Sequence, residues 1–230
     1  KTSLEIIAGA EFSAFDDQVI HVLGLFIDIK NPILLELFGK LAKRKNRLIT
    51  KALKNVRHAG VEVTPLELLR AEKSITIVKL RKYLLERKLI KINDATDSSL
   101  VQILDEWKHS LPTSQECISI IHQCGGLAFL AHPKLLHKSD LELQIMLKQL
   151  KAWGLDGIEV IHPMHSLEDI EKFKQWGTQM GLLYSGGSDY HGYGDHYEVE
   201  RRKMQEKGIF IPYSYIVNMK SVLECNNERK

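Results

Sequence analysis

The sequence predicts an α/β fold interrupted by a block of helices, and three observations carry that expectation. Residues 4–29 cluster apolar side chains into two short runs around a tight turn. Residues 31–122 repeat them at helical spacing, and residues 123–192 alternate short apolar runs with amphipathic stretches. The division expected from this is 1–30 with 123–230 for the α/β part and 31–122 for a helical insertion.

In the first zone, Glu5 to Phe12 and Gln18 to Phe26 read as strands, joined at Asp16-Asp17. In the second, Asn31-Pro32 opens a helix with proline at its first position. Leu34, Leu35, Leu37, Phe38, Leu41, Leu48, Ile49, Leu53 and Val56 recur at helical spacing as its apolar face, and Gly60 ends it. Further helices are expected from Thr64-Pro65, over Ile75 to Leu89, over Ser99 to Trp107 and over Ser114 to Gln123. In the third zone, Gly126 to His132 reads as a buried strand, and Gly157 to Ile161 and Gly181 to Ser185 as a second and a third strand. The helices Asp140 to Trp153 and Ser166 to Trp176 separate them. Strand, polar tip, helix and strand in succession is the rhythm of a barrel or an open α/β sheet. Such folds gather ligands at the carboxyl ends of their strands.

Composition removes several classes of function. At 230 residues, 44% hydrophobic and 27% charged, the chain can bury a core without disulfides. Its longest apolar runs are too short to span a bilayer, and the first residues lack the apolar centre of a secretory signal. Three scattered cysteines without a CxxC pair point to a reducing cytoplasm. A net charge of +3 supports no global claim about nucleic acid.

The residues able to do chemistry stand at the strand ends: Glu11, His21, His132, His165, Asp189 and His191. Imidazoles mixed with carboxylates are the donor set of catalytic divalent metals. Asp189 and His191, two apart in an extended tip after Gly186-Gly187, point the same way. Each also has a plain reading. His132 suits a strand end bonded to backbone, Glu11 an ion pair, His21 a satisfied core histidine and Asp189 a turn. Their recurrence together favours the ligand reading.

These residues carry a resemblance. Ala8-Gly9-Ala10-Glu11-Phe12-Ser13, Ile20-His21-Val22-Leu23-Gly24, Gly125-Gly126 to Ala131-His132-Pro133, Gly157-Ile158-Glu159-Val160 with His165-Ser166, and Gly186-Gly187-Ser188-Asp189-Tyr190-His191-Gly192 stand in the order and spacing of one family. It is the PHP (polymerase and histidinol phosphatase) family. The nearest resemblance is to its TrpH-like branch of nucleoside 3′,5′-bisphosphate phosphatases and a 5′→3′ exoribonuclease. It implies a distorted (β/α)7 barrel, here N-terminally incomplete and with a helical insertion, and up to three metal ions, usually manganese, with zinc or iron as alternatives. Glu11 resembles a bridging carboxylate, and His21, His132, Asp189 and His191 resemble metal ligands. His165 resembles the residue facing the substrate phosphate, which makes Asp189, His191 and His165 the expected catalytic group. The implied reaction is attack of a metal-bound hydroxide on a phosphate ester of a nucleotide or of an RNA 5′ end. The family's opening His-x-His and Asp-His segments have no counterpart in these 230 residues, so fewer metals are expected. An open sheet edge is expected too, and a homodimer is one way to cover it.

Two other functions fit the residues. A degenerate, non-catalytic module would bind nucleic acid or protein through the basic helix Lys40 to Lys54, whose plain reading is a solvated lysine-rich face. A histidinol-phosphate phosphatase is the other, and the long insertion weighs against it.

Overall fold

The computed structural model describes residues 4–72, 75–190, 198–208 and 210–228. Its elements are β1 (Gly9–Phe15), β2 (Val19–Leu25), α1 (Pro32–His58), α2 (Pro65–Glu72), α3 (Ile77–Glu86), α4 (Ala95–Lys108), α5 (Ser114–Gln123), β3 (Leu127–Leu130), α6 (Asp140–Ala152), β4 (Gly157–Ile161), α7 (Leu167–Met180), β5 (Leu183–Gly186), α8 (Glu198–Glu206) and α9 (Ser214–Glu228). Two compact units result, residues 1–33 with 112–230 and residues 34–111.

The first unit is built on one five-stranded sheet in the order β1-β2-β3-β4-β5. β1 and β2 pair antiparallel, as do β2 and β3, whereas β3–β4 and β4–β5 are parallel. The α/β class is therefore correct. Among the described residues the sheet stays open, with β1 and β5 at its edges. β3 (LAFL) and β4 (GIEVI) are buried at every position, which is why they read as continuous apolar runs.

The hairpin follows a different rule. Phe12 and Ala14 of β1, and Ile20 and Val22 of β2, are buried, while the residues between them are not. Period-two alternation thus turns Glu11 and His21 to the opposite face. The register pairs Glu11 with Leu23 and Ser13 with His21, which makes Glu11 and His21 diagonal neighbours. The first strand begins at Gly9, later than the sequence reading has it. Leu4 and Ile6 match the apolar pattern but are 86% and 83% exposed.

The turn after β1 also anchors the next layer. Asp16 accepts hydrogen bonds from the backbone N–H (3.1 Å) and the hydroxyl of Ser114 at the start of α5. Thr113 caps that helix in a reciprocal box with Glu116. Cys117, Ile118 and Ile121 of α5 are buried, and the helix lies against β1, β2 and β3. It lies so close to β2 that a Cβ on Gly24 would come within 2.9 Å of Ile121 Cγ1. The sequence reading groups this helix with the insertion; in the structure it belongs to the sheet unit.

Beyond the glycine-rich tip the sequence offers no pattern and leaves Cys225 to Lys230 as a polar tail. The structure has α8 and α9 there, and Tyr215 of α9 stacks edge-on against Tyr184 of β5 with centroids 5.6 Å apart. Cys117 and Cys225 are free thiols. No described helix is long and apolar enough to cross a membrane.

The second unit has helices, turns and loops among its described residues and no strand. Leu48, Ile49, Ala52 and Val56 of α1 join Leu68, Leu80, Leu84, Leu100 and Ile103 in its core. Beside that core, the Asp97 carboxylate, 1% exposed, receives Arg81 Nε at 2.6 Å, Arg81 Nη2 at 3.1 Å and the Asn93 N–H at 2.9 Å. The Arg81 hydrogen bond, then the Asn93 one, hold its carboxyl below the ordinary aspartate range.

Asp97→Ala should cost about 3 kcal/mol in urea denaturation at pH 7, because it strands a half-buried guanidinium. A depressed folded pKa stabilises fully above the unfolded value of about 3.9 and less as pH falls through the folded value. The gap between wild type and variant should therefore shrink below about pH 4. A variant within about 0.5 kcal/mol of wild type at pH 7 would contradict the assignment.

Candidate metal centre

Three side chains from three strands or strand ends meet on the face of the sheet away from α5. Glu11 comes from β1 and His21 from β2. His132 follows β3, and the Ala131 N–H bonded to the His21 carbonyl (3.0 Å) sets it beside them. Glu11 Oε1 lies 2.7 Å from His21 Nδ1 and 3.0 Å from His132 Nε2, and the two ring nitrogens are 3.1 Å apart. All three donor atoms are within 4.8 Å of one another, and together they could hold a metal ion.

The donor chemistry fits a divalent cation. One carboxylate oxygen and two imidazole nitrogens form a triangle whose edges suit bonds of about 2.0–2.2 Å to one ion. Without an ion the triangle needs protons between mutually facing lone pairs. His132 Nδ1 is, besides, buried with no hydrogen-bond partner. The electrostatics agree. Hydrogen bonds from His132 and then His21 outweigh burial and keep the Glu11 carboxyl far below the ordinary glutamate range. For His132 burial opposes the charged ring, yet the Glu11 hydrogen bond and the carboxylates of Glu11, Glu159 and Asp189 leave its pKa raised.

Asp189 follows β5 and approaches from the other side. Its Oδ2 is 3.6 Å from His162 Nε2, and His162 stacks obliquely on His132 with ring centroids 5.6 Å apart. His132 and Asp189 both hold positive φ angles, 28° and 46°. Such backbone is unfavourable for non-glycine residues and concentrates at functional sites. His191, expected beside Asp189, lies outside the described residues.

His165 sits one ring further back. It is buried, with its centroid 5.2 Å from that of His162 and 5.0 Å from that of Phe173. Its Nδ1 donates to the Val160 carbonyl at 3.0 Å, and its Nε2 is buried without a partner. Burial pushes its pKa down to about 4, so the ring is neutral. The structure thus brings Glu11, His21 and His132 into contact, sets Asp189 close by, and holds His165 behind His162.

Two residues here escape sequence reasoning. Glu159, on β4, is 5% exposed, and its Oε2 accepts the His132 backbone N–H at 2.7 Å. Burial, opposed by that hydrogen bond, pushes its carboxyl up to about 7. Gly187 leaves it room, since a Cβ there would lie 3.2 Å from Glu159 Oε1. His162 Nδ1 accepts the Met164 N–H at 3.1 Å, so the neutral ring carries its proton on the Nε2 that faces Asp189. Burial, with the nearby charges of His165 and His132, lowers its pKa to about 3. The available signal was the pattern GIEVI, a glutamate inside a run too apolar to have a solvent face.

Glu159 therefore fixes the backbone of His132. Glu159→Ala should leave that N–H unsatisfied, cost about 1–3 kcal/mol of stability and weaken Mn2+ binding about 10–100-fold in isothermal titration. Glu159→Gln, which keeps the acceptor, should restore most of both. Equal Mn2+ affinity in the alanine variant and wild type would remove the positioning role.

No protein-family model matches the chain. It is 30% identical over 210 residues to the phosphoribosyl 1,2-cyclic phosphate 1,2-diphosphodiesterase of Eggerthella lenta, covering 84% of this chain and 75% of that protein. It is 25% identical over 200 residues to a 5′-3′ exoribonuclease of Haemophilus influenzae, covering 83% and 71%. Among solved structures, one described as a metal-dependent phosphoesterase of Bifidobacterium adolescentis superposes with a TM-score of 0.59. That match has 21% identity and covers 89% of this chain and 77% of the other, a likeness of fold.

Proposed function

The chain belongs to the PHP family of phosphoesterases, and from that premise we propose that it hydrolyses ribose-linked phosphate esters of nucleotides at a divalent-cation site. The observation that carries the reading is the contact triangle of Glu11, His21 and His132, with Asp189 facing it. The relatives named above act, by their names, on a cyclic phosphoribosyl ester and on RNA from its 5′ end. A nucleoside 3′,5′-bisphosphate or an RNA 5′ end is the substrate we assign, and Mn2+ the cation.

Glu11, His21 and His132 would hold the ion, with Asp189 and His191 as further ligands. When bound, such a cation acidifies water and neutralises charge on phosphoryl oxygens. The remaining work belongs to the chain. Glu159 keeps His132 in its left-handed backbone conformation through the N–H bond. The neutral His162 presents Nε2–H toward Asp189 and keeps that carboxylate directed. His165, which the family resemblance places at the substrate phosphate, acts from behind His162. Together with Phe173 it walls the site from bulk water.

The test is hydrolysis of adenosine 3′,5′-bisphosphate and of 5′-phosphorylated RNA by the metal-loaded chain. Activity should appear with Mn2+ and vanish with chelator. Glu11→Gln and Asp189→Ala should each lower kcat/KM by more than the ~10–100-fold of an outer-shell loss. Turnover unchanged by either substitution, or neither phosphate released from the bisphosphate nor mononucleotide released from the RNA, would refute the proposal.

A further inference from the structure

Charge is divided unevenly between the two units. Residues 34–111 hold 17 Lys and Arg against 9 Asp and Glu, net +8, while the remaining residues hold 15 against 20, net −5. Much of the excess lies on α1, which has no acidic residue after Glu36. Lys40, Lys43, Arg44, Arg47, Lys51 and Lys54 are all exposed and fall at i, i+3, i+4, i+7, i+11 and i+14. That spacing makes one stripe on one helix face. At 1.5 Å per residue it is about 21 Å long.

Neighbouring carboxylates neutralise little of it. Glu36 pairs with Lys40 at 2.6 Å. Glu106 of α4 takes Lys51 at 2.6 Å and reaches Arg47 at 3.9 Å. Arg44 donates to the Ser110 carbonyl at 2.8 Å. Lys43 and Lys54 have no ion-pair partner among the described residues. Two carboxylates against six cations leave a row of positive charge open to solvent.

The rest of the helix narrows what that row can meet. Its apolar face, Leu48, Ile49, Ala52 and Val56, is already buried in the core of its own unit. A helix that binds a membrane surface needs that face free to enter the lipid. The stripe holds no aromatic side chain either, so it cannot read bases by stacking. A straight row of Lys and Arg suits a flexible polyanion that can follow it. Duplex phosphates wind away from a straight row.

We propose that the exposed face of α1 is a sequence-independent docking surface for the phosphate backbone of a single-stranded nucleic acid. The surface belongs to a different unit from the Glu11 site, and binding there does not require hydrolysis.

Fluorescence anisotropy of the full chain with labelled oligo(U) and oligo(dT) 20-mers in EDTA tests it, since chelation suppresses turnover. Both strands should bind, with affinity falling by about 0.7 log units per log unit of salt for each phosphate engaged. Lys43→Glu with Lys54→Glu should weaken binding at least tenfold and flatten that slope by about 1.4, with the thermal melt unchanged. Glu11→Gln should bind as wild type does.

Five results would overturn the proposal: no binding of either strand; affinity unaltered in the double variant; loss of binding in Glu11→Gln, which would place the strand at the metal site; polyglutamate of equal charge competing as well as oligo(U), which would make the surface one for acidic proteins; or preferential binding of phosphatidylserine vesicles.

Discussion

A carboxylate oxygen and two imidazole nitrogens within about 3 Å of one another repel unless a proton or a cation lies between them. In this chain that arrangement is imposed by backbone pairing. The antiparallel register of β1 and β2 makes Glu11 and His21 diagonal neighbours on one face. The β2–β3 pairing then delivers His132 beside them. A slip of one residue in the hairpin would turn Glu11 into the core and expose Phe12. Burial of Phe12, Ala14, Ile20 and Val22 under α5 therefore holds the register, and with it the donor triangle. Asp16, which follows β1 and bonds the first residue of α5, ties the two layers together.

Around the triangle, burial sorts the titratable groups by role. Glu11 is held ionised by its two histidines. His162 and His165, walled in by neighbours, are held neutral, so each has one ring nitrogen committed as donor and the other as acceptor. For Glu159 burial outweighs the hydrogen bond and the charge of His132 and pushes the carboxyl up to about 7, and its contribution is geometric: it holds the His132 N–H. The candidate donors stand in front, and Glu159 holds the backbone of one of them from behind, as outer-shell partners do at metal sites.

Much of this was legible in the sequence, for identifiable reasons. Buried parallel strands read as unbroken apolar runs, and helices announced themselves by caps such as Ser166 and by the long period of α1. Glu11, His21, His132 and Asp189 stood out as polar residues read at strand ends, which holds for His132 and Asp189, whereas Glu11 and His21 lie inside the alternating strands β1 and β2. What stayed hidden depended on tertiary contact. Leu4 and Ile6 look like strand residues but have nothing to pack against. α8 has no buried residue and α9 few, so neither shows a periodic face. Glu159 and His162 are ordinary letters until the fold places one under the His132 backbone and the other against Asp189. The segregation of charge onto residues 34–111 was countable from the start. Its meaning depended on learning that the apolar face of α1 is already spent in a core.

The account rests on the triangle being a cation site, and anomalous diffraction from crystals soaked in Mn2+ reads that directly. It predicts a manganese peak within bonding distance of Glu11 Oε1, His21 Nδ1 and His132 Nε2 together, lost in Glu11→Gln. A peak elsewhere, or a well-ordered triangle with no peak at saturating Mn2+, would contradict it.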